Sequence, residues 1–216
     1  MERFTDRADA GRRLAAALEG IDLGDPVVLG LPRGGVPVAA QIATALGAPL
    51  DVLVVRKLGV PGQPEVAMGA IGEQGARVLN DDIIDSVYIS PGELRDIERT
   101  ERAELEARVA RFRGGAPPVS LEGRTAVIVD DGVATGATAR VAAVVAKARG
   151  AVRVVLATPV GASDSLGSLA ADPSVNEIVC LSVPPGFMSV GSHYLDFAQT
   201  TDAQVSELLA AARAGE

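Results

Sequence analysis

Short aliphatic runs alternate along the chain with segments whose apolar residues recur every three or four positions. The runs are typical of buried strands, and the spaced segments are typical of amphipathic helices. Strands are predicted at residues 26–31, 49–55, 123–131, 151–160 and 176–183. Helices are predicted at residues 7–19, 36–47, 91–113, 136–150, 163–171 and 202–215. Because strands and helices alternate with short connections, the pattern predicts an α/β fold with a twisted, mainly parallel sheet flanked by helices.

Two segments depart from this alternation. Residues 56–75 contain Pro61 and Pro64, so a loop is predicted there, with strand character resuming only near residues 67–71. Residues 91–113 are highly charged and follow Ser90, which predicts a helix that begins with a capping box. We expect this helix to be a solvated one held by weak ion pairs, rather than a binding surface.

Length and composition narrow the class of protein. The 216 residues predict one domain, 1–216, and the 3% aromatic content predicts a core built from Val, Leu, Ile and Ala. A net charge of −8 argues against nucleic acid or an anionic membrane as partner. A single Cys and a single His exclude an internal disulfide and a His/Cys metal cluster. The first 20 residues lack the apolar core of a signal peptide, so a cytoplasmic location is expected.

The stretch "VIVDDGVATGATA", residues 127–139, combines an aliphatic strand, two acids and a loop rich in Gly and Thr. In parallel sheets, ligands bind at the carboxyl ends of the strands, where this loop lies. The loop amides at a helix amino terminus suit a phosphate, whereas Asp130 and Asp131 suit sugar hydroxyls and, through them, a magnesium ion. A ribose phosphate would satisfy the whole stretch. The alternative is a helix cap beside a solvated acid.

With these residues the chain resembles the type I phosphoribosyltransferases, whose motif for 5-phosphoribosyl 1-pyrophosphate (PRPP) has the same strand, acid pair and Thr-Gly loop. The resemblance implies that Asp130 and Asp131 are catalytic, hold the ribose hydroxyls and contribute to the Mg²⁺ site. It implies that the 5-phosphate is held by Ala134, Thr135, Gly136, Ala137 and Thr138.

The stretch "GLPRGGVPVAA", residues 30–40, also follows a strand and opens a helix. It exposes amides beside a cation, which suits pyrophosphate. It resembles the pyrophosphate loop of the family, and is similar to that of bacterial xanthine-guanine phosphoribosyltransferases. The resemblance implies pyrophosphate binding by Arg33, Gly34 and Gly35, with Arg33 catalytic. It also implies a cis non-proline peptide near Pro32 or Arg33. A plain tight turn is the alternative for these four residues taken alone.

The segment after Val55 occupies the position of the family's flexible catalytic loop. Arg56 and Lys57 lie at its base and suit pyrophosphate, with Lys57 expected to be catalytic. Solvated charges at a strand end are the alternative. Further along, the segment offers no cation and only Glu65 as a charged residue, which departs from relatives with a basic loop.

The acceptor side is less similar to the family. Thr158-Pro159 stands where members that use 6-oxopurines have a Lys-Pro pair that reads the base. Phe187 and Tyr194 are candidates to stack on an acceptor ring, with ordinary packing as the alternative. His193 is either a general base or, more commonly for a lone His, a structural residue.

Together the resemblance implies a type I phosphoribosyltransferase fold with a core of about residues 20–165 and a small hood. The hood is expected from residues 175–200 plus the N-terminal segment, with the helix at 91–113 as an insertion. The implied function is magnesium-dependent transfer of the phosphoribosyl group from PRPP to a nitrogenous base or amine, by a homodimer. A non-catalytic PRPP-binding regulator and a PRPP hydrolase are the alternatives.

Overall fold

The computed structural model describes residues 3–214, without the side chains of Pro64 and Glu65. In chain order the strands are β1 (Pro26–Gly30), β2 (Leu50–Val52), β3 (Val55–Val60), β4 (Gln63–Gly72), β5 (Arg77–Leu79), β6 (Thr125–Val129), β7 (Arg153–Val160) and β8 (Glu177–Ser182). The helices are α1 (Arg7–Leu18), α2 (Gly35–Leu46), α3 (Asp81–Ser86), α4 (Pro91–Arg113), α5 (Ala137–Ala148), α6 (Ser163–Ala170) and α7 (Asp202–Ala214). A short 3-10 helix covers Val190–His193.

The main sheet is parallel and has the order β2-β1-β6-β7-β8. Successive strand residues point to opposite faces, so Val28 packs into one core with α1, α2 and α7, whereas Val27 and Leu29 pack into another with α5 and α6. Helices therefore cover both faces of the sheet. The predicted α/β fold, with a mainly parallel sheet flanked by helices, is confirmed.

The segment predicted to begin as a loop is a β-hairpin instead. Strands β3 and β4 pair antiparallel around a turn at Gly62, whose φ is 78°, and β5 extends this second sheet. The two prolines are compatible with the hairpin because one lies in its turn and the other follows at the start of β4, next to the register shifts near Gly59. Glu65, the charged residue expected in the loop, has its side chain outside the described residues.

The hood boundary also differs from the prediction. Residues 177–182 form β8, the edge strand of the main sheet, so they belong to the core rather than to the hood. The remaining C-terminal segment does pair with the N terminus, since Phe4 N donates to His193 O and Leu195 N donates to Phe4 O. Phe4 and Tyr194 pack in a small cluster of their own.

Helix α4 begins as predicted. Ser90 Oγ accepts from Glu93 N at 3.3 Å and Glu93 Oε2 accepts from Ser90 N at 3.0 Å, which completes the capping box. The hydrogen bonds from Ser90 hold the pKa of Glu93 below its usual value. At the other end Gly114 adopts a φ of 59° and terminates the helix. Its last residue, Arg113, is buried and paired with Asp51 and Glu73, so this end of the charged helix is part of the core.

Candidate functional site

Three loops meet where β1, β6 and β7 end. Leu31 N donates to Val129 O at 2.8 Å, which joins the chain after β1 to the end of β6. Val133 N donates to Val160 O at 2.9 Å, which joins the chain after β6 to the end of β7. The loops that the sequence selected after Leu31, Val129 and Val160 therefore form one edge, as expected for the carboxyl ends of parallel strands.

The 32–35 loop packs against the acid pair. The peptide between Pro32 and Arg33 is cis, as the family resemblance implied. A Cβ on Gly34 would lie 2.0 Å from Asp131 Oδ2, and a Cβ on Gly35 would lie 2.3 Å from Val129 O. A side chain at either position would displace a neighbouring group, because the loop backbone contacts the strand end and its carboxylate directly.

Asp131 has a partner that the sequence did not suggest. Arg7, the first residue of α1, donates from Nε to Asp131 Oδ2 at 2.8 Å, and its guanidinium lies over the Phe197 ring at 3.9 Å. Tyr194 Oη donates to the backbone O of Asp131 at 2.6 Å. The N-terminal helix and the hood thus fix the position of Asp131 together. No local pattern around Arg7 indicated this, because the two residues are 124 positions apart.

The surroundings of the two acids disfavour a negative charge on both carboxyl groups at once. Loss of solvation, followed by the charge of Asp131, raises the pKa of Asp130 to about 8. Loss of solvation also raises the pKa of Asp131, and Arg7 opposes that change. A pair of this kind favours a ligand that brings hydroxyl donors or a cation.

The 134–138 loop leads into the amino terminus of α5. Gly136 caps this helix with a φ of 74°, a conformation that a residue with a side chain rarely adopts. The neighbouring Ala134, Thr135, Ala137 and Thr138 are exposed, and the first amides of a helix have no acceptor within it. Ser165 Oγ of α6 donates to Ala134 O at 2.6 Å and anchors the loop. The arrangement offers backbone and hydroxyl donors to an anion.

A cavity of about 490 Å³ lies beside the 32–35 loop, and we call it the arginine cavity. The charged residues that line it are Arg7, Arg33, Arg108, Arg111, Asp131 and Asp202. Arg108 and Arg111 come from α4, which the sequence analysis interpreted as a solvated helix. The available signal was that these two arginines lie three residues apart, on one face near the end of the helix. In the sequence, such a pair could not be distinguished from the charged residues of an ordinary solvated helix.

Arg56 and Lys57 lie elsewhere than predicted. Arg56 pairs with Glu101 at 2.6 Å and also with Glu104, both on α4, so its charge is already neutralised. Lys57 is half-buried on the opposite face of β3, where it pairs in register with Ala70. Among the described residues, the lining of the arginine cavity includes neither of them. The reason for the difference is the hairpin, which turns Arg56 toward α4.

Most of the residues that were predicted to contact an acceptor are buried. Thr158 is 2% exposed within β7, and its Oγ1 donates to Val160 O at 3.2 Å. Pro159 is buried as well. Tyr194 is buried between Phe4 and Phe197 and is hydrogen-bonded to Asp131, so its ring is not open to stacking.

Phe187 remains partly exposed and stacks on the ring of His193 at 5.7 Å between ring centres. Of the residues predicted to contact the acceptor, Phe187 alone keeps a partly open ring. His193 stacks on it in the hood, and its backbone O accepts from Phe4 N.

The residues present fit a magnesium ion that takes most of its ligands from a substrate. The described part of the chain contains no group of three or more His, Cys, Asp or Glu side chains arranged to hold a metal. Two carboxylates at one loop suit Mg²⁺, which commonly binds through one or two carboxylates, substrate phosphates and water.

Comparison with known proteins gives a family and a fold. A phosphoribosyl transferase domain model matches residues 2–183 of the chain. A Mycobacterium tuberculosis H37Rv protein, provisionally named a phosphoribosyl transferase, is 53% identical over 209 residues, which are 97% of this chain and 47% of that protein. The chain therefore spans about half the length of the curated relatives it matches.

Solved structures share the fold, and together with the family match they confirm the predicted type I phosphoribosyltransferase fold class. The crystal structure of TT1426 from Thermus thermophilus is 45% identical, with a TM-score of 0.88 over 96% of this chain and 97% of that one. A Neisseria gonorrhoeae protein solved with bound ppGpp is 13% identical, with a TM-score of 0.53 over 100% of this chain and 97% of that one, and is similar in fold alone. Among the described helices, none has the length and apolar character needed to cross a bilayer.

Proposed function

The chain belongs to the phosphoribosyl transferase domain family, and from that premise we propose that it transfers the 5-phosphoribosyl group from PRPP to a nitrogenous base or amine, releasing pyrophosphate. The observation that carries the proposal is the direct contact between Gly34 of the 32–35 loop and Asp131 of the acid pair. This contact brings a basic, amide-rich loop, two carboxylates and an anion-accepting helix terminus to one edge of the sheet.

Each part of the site has a role in the proposed reaction. The amides and hydroxyls of the 134–138 loop bind the 5-phosphate, and Asp130 and Asp131 accept from the ribose hydroxyls. When bound, Mg²⁺ supplies charge neutralisation at the pyrophosphate. As the bond at the anomeric carbon breaks, Arg33 and the amides of Gly34 and Gly35 stabilise the negative charge that develops on the leaving group.

The decisive measurement is pyrophosphate release from PRPP across a panel of purines, pyrimidines and amines, with and without Mg²⁺. Release that depends on one class of acceptor supports the transferase. Release without any acceptor indicates hydrolysis by water, whereas binding of PRPP with no release indicates a regulator. Homodimer formation and a cytoplasmic location stay predictions of the sequence.

PRPP binding should raise the thermal stability of the chain. At 100 times its dissociation constant, a ligand that binds only the folded state stabilises it by about 2.7 kcal/mol. For a chain of this size that corresponds to a rise of roughly 5–11 °C in the unfolding midpoint. Differential scanning fluorimetry with PRPP and Mg²⁺ measures it, and ribose 5-phosphate serves as the ligand control. An unchanged midpoint at saturating PRPP would contradict every PRPP-binding version of the function.

Alanine at Gly34 and at Gly35 should have different effects. In Gly34→Ala the new Cβ displaces only the end of the Asp131 side chain, so PRPP binding weakens while stability is largely kept. In Gly35→Ala the Cβ meets the backbone O of Val129, which cannot move cheaply, and unfolding should become easier by roughly 1–3 kcal/mol. Urea unfolding measures the change in stability and the KM for PRPP measures the change in substrate binding, so the two measurements distinguish the two variants. Gly20→Ala, which meets nothing within 4 Å, is the matched control.

A further inference from the structure

The arginine cavity holds more positive charge than the chain neutralises. Four of its lining side chains are guanidinium groups and two are carboxylates. Asp131 is paired with Arg7, which leaves Asp202 as the one carboxylate facing Arg33, Arg108 and Arg111. Arg108 makes no ion pair with any residue in the described part of the chain. The excess charge in a concave site beside the 32–35 loop attracts anions.

Asp202 occupies the position that an anion would take between two arginines. Its Oδ2 lies 2.7 Å from Arg111 Nη1, and its Oδ1 lies 3.4 Å from Arg33 Nη1. These arginines come from α4 and from the loop after β1, and Asp202 itself begins α7. Both arginine side chains are open to solvent, with 63% of Arg111 and 40% of Arg33 exposed. Exposed pairs of this kind contribute little to stability, so a ligand with several negative charges can replace Asp202.

The end of α4 that carries these arginines is held in place. Arg113, two residues beyond Arg111, is 1% exposed and donates to Asp51 Oδ1 at 2.8 Å and to both oxygens of Glu73. Ser206 Oγ of α7 donates to the backbone O of Arg111 at 3.0 Å. Arg108 and Arg111, one turn apart, therefore share a face whose backbone is fixed before any ligand arrives.

We propose that Arg108 and Arg111 of α4 bind the pyrophosphate group of PRPP and the released pyrophosphate, with Asp202 as a resident counter-ion that the pyrophosphate displaces. The proposal rests on the proposed function and adds two residues that lie outside every motif of the sequence. It also explains how the site obtains cations although Arg56 is paired with α4, and although neither Arg56 nor Lys57 lines the arginine cavity. The inserted helix supplies them in place of a basic loop.

The test uses inorganic pyrophosphate with Mg²⁺ as the titrant and the full chain in the calorimeter cell. Arg108→Ala with Arg111→Ala should raise the Kd for pyrophosphate by at least about tenfold, because each removes a charge-assisted hydrogen bond. Asp202→Asn should lower that Kd severalfold, since the competing carboxylate is gone. Arg95→Ala is the matched control, because this exposed arginine lies on the same helix roughly 20 Å away.

Kinetic measurements give a second, independent readout. In the double variant the KM for PRPP should rise with little change in the KM for the acceptor, whereas a merely structural role for α4 would alter both. Arg111→Lys should restore part of the affinity, and unfolding midpoints establish that each variant is folded.

Pyrophosphate binding that is absent in the wild-type chain, or equal in the double variant and the wild type, would overturn the proposal. The chain could also bind pyrophosphate through these arginines and yet show no phosphoribosyl transfer. That result would support the proposed pyrophosphate site and would contradict only the proposed transferase activity.

Discussion

Changing Asp130 and Asp131 together to Asn should lower pyrophosphate release from PRPP by at least about a thousandfold, since removing even one preorganised electrostatic group costs roughly 10²–10³ in turnover. The change keeps the size of both side chains, so the close approach of Gly34 and the hydrogen bond from Arg7 can persist. What is lost is the charge that orients the ribose hydroxyls and balances the cationic ribose ring. Steady-state release of pyrophosphate measures the effect.

The same variant should unfold no more easily than the wild type. Burial raises the pKa of both acids, and a carboxyl whose pKa is raised on folding lowers stability above its unfolded pKa. Neutral Asn at both positions removes that cost at pH 7. An activity loss without a stability loss is the signature of a functional pair.

Another adjacent acid pair gives a matched control. Asp81 and Asp82 lie exposed in the first turn of α3, and their double change to Asn should leave turnover within about twofold while costing up to about 1 kcal/mol per helix-dipole interaction. Wild-type turnover in the Asp130 and Asp131 double variant would refute the role of the acid pair.

Arg113→Met should destabilise the fold by about 3–5 kcal/mol, which is the usual effect of removing one partner from a buried ion pair. Arg113 is 1% exposed, and its guanidinium is the partner of two buried carboxylates, Asp51 and Glu73. Burial lowers the pKa of Arg113, but the hydrogen bonds that its guanidinium donates to Glu73 and Asp51 outweigh this effect and raise the pKa overall. In the variant both acids stay buried without this partner, and the unfolding midpoint should fall by roughly 6–20 °C.

Two further variants test whether the loss of stability comes from the buried ion pairs of Arg113. Adding Asp51→Asn and Glu73→Gln to Arg113→Met removes the two buried negative charges that have lost Arg113 as a partner. The triple variant should therefore recover part of the lost free energy of unfolding. Arg99→Ala on the same helix breaks an exposed pair with Asp96 and should change the unfolding free energy by no more than about 0.5 kcal/mol. A small effect of Arg113→Met, equal to that of Arg99→Ala, would mean that α4 is not anchored by this cluster.

Much of the fold was predictable because it depends on local patterns. Continuous aliphatic runs such as β6 must be buried on both faces, which requires a parallel sheet covered by helices. The bounds of α4 were predictable for a similar reason, because Ser90, Glu93 and Gly114 act within one turn of the helix ends. The cis peptide near Arg33 came from the family resemblance rather than from any pattern.

The hairpin and the acceptor side were not predictable from local patterns. Pro61 and Pro64 indicated a loop, yet the antiparallel pairing of β3 with β4 overrides that preference. The concentration of aromatic residues near Tyr194 suggested a surface on which an acceptor ring could stack. In the structure, however, the Tyr194 hydroxyl donates to the backbone O of Asp131, and the Tyr194 ring packs on Phe4. A sequence shows which residues are aromatic, and only packing decides which face remains open.

By itself, the sequence determined the parallel α/β fold and the two loops at the strand ends, since strand burial, glycine backbone freedom and helix capping act over a few residues. The tertiary structure alone decided which charges meet. Arg7 reaches Asp131 across 124 positions, and Arg111 reaches Asp202 across 91. Charge pairing depends on distance in space, and long-range chain folding sets that distance. Apart from Arg33, the cations that line the arginine cavity therefore come from α1 and α4, rather than from the hairpin that follows β2.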